Sequence, residues 1–158
     1  MRPPGGASAP TTSLTPGGAI IDLQSLAREI CRRFYIRFPD ELKRSGDTGT
    51  AWCQHDNQYL LAWAIQEARD GTVTFVDQCV WLARVLHSRD FPIERLTANL
   101  LIASDLTRNH GELGPLAQST GDVLAAGADA VNGLDSADFA EPHQASSDSA
   151  LGSSRRDV

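Results

Sequence analysis

Apolar residues recur at spacings of three and four along most of the chain, the period of an α-helix with one buried stripe. Leu23, Leu26, Ala27, Ile30, Cys31, Phe34 and Phe38 predict a first helix from about Asp22 to Arg37, with Asp22 as its N-cap. Pro39 breaks that run, and a short helical turn ends at Gly46. A polar connector, Ser45 to Gly49, leads into a second helix from about Thr50 to Arg69. Its stripe is Trp52, Tyr59, Leu60, Trp63, Ala64 and Glu67, broadened by Leu61 and Ile65, and Asp70-Gly71 ends it.

Thr74 and Asp77 form a Thr-x-x-Asp variant of the capping box for a third helix. Phe75, Val76, Cys79, Val80, Leu82, Ala83 and Leu86 supply its buried face. Pro92 suits the first position of a fourth helix, whose stripe is Ile93, Leu96, Leu100, Ala103 and Leu106, flanked by Leu101 and Ile102. Beyond "GELGP", a weaker fifth stripe of Leu116, Val123, Leu124, Ala128, Val131 and Leu134 is interrupted by Gly121 and Gly127. No convincing alternating run suggests a strand. The expected fold is all-α, an antiparallel bundle of four to five helices over residues 19–134, the last spanning 115–134.

The ends of the chain differ from its middle. Residues 1–18 are dominated by Pro, Gly, Ser, Thr and Ala, and residues 135–158 are polar and acidic. Neither end can bury enough apolar surface to offset its ordering entropy, so both are expected to be disordered tails.

Of the net charge of −6, the middle carries little: eleven Lys and Arg stand against thirteen Asp and Glu between Ala19 and Gly114. A weakly acidic domain lacks the positive field a phosphate backbone requires, so nucleic acid is not an expected partner. No continuous apolar segment resembles a secretory leader or a membrane span, which makes the cytoplasm the expected location.

Chemistry-bearing motifs are sparse. Cys31, Cys53 and Cys79 are odd in number, show no close pairing and lie on helical stripes, where cysteine behaves as a small apolar residue. CxxC, Glu-x-x-His, Gly-x-Ser-x-Gly, Gly-x-x-x-x-Gly-Lys and Gly-x-Gly-x-x-Gly are all absent. No metal site or catalytic set is expected, and no pattern predicts a pocket of clustered polar side chains. His87 ends the third helix, where its dipole favours a cation. His110 and His143 are expected to face solvent. His55 and Tyr59 lie one turn apart on one face and could contact a planar ligand.

Trp52, Trp63 and Trp81 are concentrated with Tyr59 on two successive helices. They read either as core or as flat surfaces for a large planar ligand. "DNQYLLAWAIQEARDG" and "FVDQCVWLARVLHSRDFPIERLTANL" resemble the helical domain that precedes the cobalamin-binding domain in bacterial B12-dependent regulators and photoreceptors. The matching positions are Asp56, Tyr59, Leu60 and Gly71, then Phe75, Asp77, Trp81, Leu82 and Leu86, then Arg89, Pro92 and Leu96. In that family the bundle caps the upper face of the corrin, beside a domain carrying Asp-x-His-x-x-Gly. No such motif occurs here, so the resemblance implies a cap without its cofactor domain in cis.

Two readings follow. One is a non-enzymatic regulatory or sensory bundle that binds a protein partner, including a cobalamin-binding partner in trans, or a hydrophobic ligand between the second and third helices. The other is direct binding of cobalamin or another tetrapyrrole. In either case the candidate ligand residues are Trp63 and Trp81 as platforms, with Tyr59 and His55 as polar contacts.

Overall fold

Five helices account for most of the chain, and a computed structural model describes them within residues 8–140. They are α1 (Leu23–Arg37), α2 (Pro39–Asp70), α3 (Phe75–His87), α4 (Ile93–Arg108) and α5 (Leu116–Asn132). The architecture is the expected all-α bundle. Its interior joins Leu26 and Ile30 of α1, Leu61 and Ile65 of α2, and Phe75 of α3 with Leu100 of α4 and Leu124 of α5. No described helix is long and apolar enough to cross a membrane.

Local sequence explains several boundaries. The Asp22 carboxylate accepts from the Ser25 amide at 3.0 Å, the cap expected for α1. Gly71 ends α2 in the left-handed conformation, φ 66°, its amide donating to the Glu67 carbonyl at 2.9 Å. Glycine has no Cβ to clash there. The cap of α3 differs from expectation. Thr74 makes no side-chain cap bond, and Glu67 reaches across from α2 so that its carboxylate accepts from the Phe75 amide at 2.6 Å. A charged acceptor held by a neighbouring helix outcompetes the local hydroxyl.

The stretch expected to be a connector before the second helix is itself helical. The stop expected at Gly46 is observed, at φ 57° and ψ −148°, but helix resumes immediately after it, so α2 is two helical segments meeting at a kink and the expected connector shrinks to that glycine. Its buried line is also rotated from the predicted stripe. Asn57, Leu60, Leu61, Ala64 and Ile65 are inside, whereas Trp52, Tyr59 and Trp63 lie at the half-buried flank. The wide aromatic rings cover the edge of the core, and smaller side chains let the helices approach.

Part of each expected tail is ordered onto the bundle. Thr12–Leu14 (β1) pairs antiparallel with Ile20–Asp22 (β2), with Ser13 opposite Ile21. Ile21 is fully buried, Gln58 donates to the Pro10 carbonyl at 2.9 Å, and Arg69 donates to the Leu14 carbonyl at 2.9 Å. One buried isoleucine and two side-chain anchors compensate for the Pro- and Gly-rich composition. At the other end, the Phe139 ring stacks on His87 with centroids 4.2 Å apart, and Arg84 donates to the Asp138 carbonyl. Residues 1–7 and 141–158, including His143, lie outside the described residues.

The glycines of α5 have a packing reason. A Cβ on Gly127 would come within 2.5 Å of the Phe75 ring and 2.7 Å of the Cys79 sulfur, so only glycine lets α5 approach α3 this closely. His110 is half-buried rather than solvent-facing, and its Nε2 is a buried atom without a hydrogen-bond partner.

Candidate functional site

Three of the four residues singled out by sequence form a ladder along one side of α2. The His55 and Tyr59 rings meet edge to face at 5.0 Å, and Tyr59 and Trp63 are tilted at 5.4 Å. Trp52 extends the row, 5.6 Å from His55. The spacing of three and four residues puts them on one face, as expected. Trp81 is not part of the ladder; it stands on α3 and is 56% exposed.

His55, Tyr59, Trp63 and Trp81 do not line the partly open cavity that forms within the bundle. That space, about 150 Å³, lies where α1, α2, α3 and α4 meet. Its apolar wall comes from Phe34, Leu60, Leu82, Leu86, Phe91 and Leu96. Trp52 and Tyr35 add two more rings. Its polar wall is Asp56, Asn57, Asn99 and Cys53, with Glu41, Arg44 and Ser45 at one end. Polar side chains from α2 and α4 therefore converge in a pocket that no sequence pattern predicted.

Each polar group has a defined partner. The Asn57 and Asn99 amides bond reciprocally, Asn57 Nδ2 donating at 3.1 Å and Asn99 Nδ2 at 2.8 Å. Asn57 Nδ2 also donates to the Cys53 carbonyl at 3.0 Å. The Glu41 carboxylate is buried, and both Arg44 and Arg95 donate to it, Arg95 at 2.8 Å. Arg95 also holds the exposed Asp40 at 2.7 Å. A buried carboxylate is tolerated because two guanidiniums replace its hydration.

The cysteines are closer than the sequence suggested. The amide nitrogen of Asn57 approaches both Cys31 Sγ, at 3.6 Å, and Cys53 Sγ, at 3.5 Å. Hydrogen bonding with the Cys31 thiol, reinforced by burial, pushes the Cys53 thiol well up from its ordinary range. Both cysteines are free. Cys79 is separate, and burial pushes its thiol up to about 12. Protonated thiols are poor nucleophiles.

Asp56 is the least compensated charge on the wall. Burial raises its carboxyl, although His55 Nδ1 lies 3.1 Å from Oδ1 and Arg89 adds a favourable charge. Arg89 belongs to the turn between α3 and α4, and its guanidinium stands 5.1 Å from the centre of the Trp52 ring. In the same turn Asp90 has φ 59°, an uncommon conformation for a residue with a Cβ. This turn, carrying Arg89 and Phe91, forms one margin of the cavity.

Sequence reasoning found the aromatic row but missed the polar wall. Asn57 was the available signal, a polar residue one turn before Leu60 and Leu61 on a face that must be inside. Comparison with protein-family models, curated proteins and solved structures finds no match to this chain.

Proposed function

We propose that this bundle is a non-enzymatic regulatory or sensory module that binds a small ligand in the cavity among α1, α2, α3 and α4. The supporting observation is the cavity itself, about 150 Å³ walled by apolar and aromatic side chains with a few oriented polar groups. That combination is typical of small-molecule sites. An apolar cavity of about this volume takes up a benzene-sized molecule. Binding fits the wall better than catalysis does. Glu41 is neutralised by two arginines, Asn57 and Asn99 satisfy each other, and the Cys53 thiol holds its proton.

Thermal unfolding of the full chain with benzyl alcohol, choline and benzoate tests this reading. A ligand that binds the folded state alone raises the midpoint with concentration. At least one of the three is expected to raise it, and Leu86→Phe, which fills the cavity, is expected to abolish the shift. No shift with any of them, or equal shifts in Leu86→Phe, contradicts the reading.

A second reading rests on the His55, Tyr59 and Trp63 row. A corrin or other tetrapyrrole exceeds the cavity, so it would lie against this outer flank of α2 with Trp63 as its platform. Titration with hydroxocobalamin should then quench tryptophan emission in the wild type and not in Trp63→Leu. Unchanged emission in the wild type removes that reading.

A further inference from the structure

We infer that the cavity selects a compact organic ammonium ion, and that Arg89 occupies the cation's place when the ligand is absent. This deepens the small-ligand reading and rests on it. Four aromatic residues, Phe34, Tyr35, Trp52 and Phe91, contribute to one small wall together with the Asp56 carboxylate. Aromatic rings grouped around a carboxylate are the chemistry that holds alkylated ammonium ions, because the ring faces are negative and the rim is apolar. A neutral apolar ligand would need no carboxylate there. An anion would meet Asp56 and Glu41.

Arg89 already makes the aromatic contact, and its charge reaches the carboxylate. Its guanidinium stands 5.1 Å from the centre of the Trp52 ring, and its charge favours the ionised form of Asp56. It is itself exposed, in the turn where Asp90 adopts φ 59°, so it can swing into solvent without opening the core. The charges around the cavity support an exchange of one cation for another. Asp40, Glu41 and Asp56 face Arg44, Arg95 and Arg89, and the first two carboxylates are held by Arg44 and Arg95. Withdrawal of Arg89 leaves Asp56 with the His55 ring 3.1 Å away and without the guanidinium's charge, which an ammonium ion would replace. The surrounding apolar side chains reduce screening by water and strengthen the pairing.

Calorimetric titration of the full chain with choline and with its neutral isostere 3,3-dimethylbutan-1-ol tests this assignment. Choline is expected to bind at least tenfold more tightly. Asp56→Asn should bring choline down to the affinity of the alcohol, and Arg89→Ala, at an exposed position, should tighten choline severalfold without changing the alcohol. Alcohol binding equal to or tighter than choline, or Arg89→Ala that leaves choline unchanged or weaker, overturns the ammonium assignment and leaves the cavity reading standing. Binding of neither compound overturns both.

Discussion

Asn57 on α2 and Asn99 on α4 exchange two amide hydrogen bonds, of 3.1 and 2.8 Å, on the wall of the cavity. The pair is buried, and its register fixes how the two helices face each other. Removing one member takes from the other its amide partner. Asn57→Leu or Asn99→Leu alone is expected to cost about 1–3 kcal/mol, the penalty for an orphaned buried amide. The double variant should cost less than the sum of the two. Urea unfolding of all four proteins as a double-mutant cycle measures the coupling, and simple additivity would show that the amides do not act together.

Gly127 places packing against helix propensity. Replacement of a mid-helix glycine by alanine in an open site gains about 1 kcal/mol. Here the new methyl group would strike Phe75 and Cys79. Gly127→Ala is therefore expected to lose about 1–3 kcal/mol through overpacking. Gly133→Ala, whose Cβ would meet only backbone oxygens at 3.4 Å and beyond, serves as the comparison in the same denaturant series. A gain in stability for Gly127→Ala would contradict the close approach of α5 to α3.

Glu67 replaces the expected local cap of α3. Its carboxylate accepts from the Phe75 amide at 2.6 Å, while Thr74 caps nothing with its side chain. Glu67→Ala is expected to destabilise by about 1–2 kcal/mol and Thr74→Ala by much less, on the usual scale of cap deletions. Thermal unfolding followed by circular dichroism reads both. The reverse ranking would return the cap to Thr74.

The pH dependence of stability carries opposite signs at two carboxylates. Burial raises Asp56 above its ordinary value of 3.8, so the folded protein keeps that proton to higher pH than the unfolded chain. Its contribution therefore falls as pH rises from the ordinary value through the raised one. Glu29 is held down at about 2 by hydrogen bonds from Arg32 and Arg33, so its contribution is present above the ordinary 4.5 and lost as pH falls toward 2. Asp56→Asn should gain on the wild type as pH rises through the acid range. Glu29→Gln should lose ground on the wild type as pH rises from about 2 to 4.5. Urea midpoints between about pH 3 and 7 check both directions. A difference curve of the wrong sign for Asp56→Asn would mean that its carboxylate is well compensated.

Much of the bundle was legible because helix formation writes itself along the chain. The stripes of α1, α3 and α4, the Asp22 cap and the Gly71 stop all depend on residues within one or two turns. The site was less legible because it depends on which faces meet. Cys31 and Cys53 sit on different helices, and nothing in either stripe shows that both point toward Asn57. Glu41 reads as a solvated charge in a short turn until Arg95, far along the chain, comes to cover it. The hairpin was hidden by composition, since its hold on the bundle comes from Ile21 and from the side chains of Gln58 and Arg69. Periodicity reports the direction of a face, while distant partners decide what that face encounters.

The most direct test of a ligand-binding cavity is an NMR titration that follows the side-chain amides of Asn57 and Asn99 and the indole NH of each tryptophan as choline is added. Saturable shifts at Asn57, Asn99 and Trp52, with Trp81 unmoved, are the predicted result. Amides that stay fixed at saturating choline, or shifts confined to Trp63 and Trp81, would contradict it.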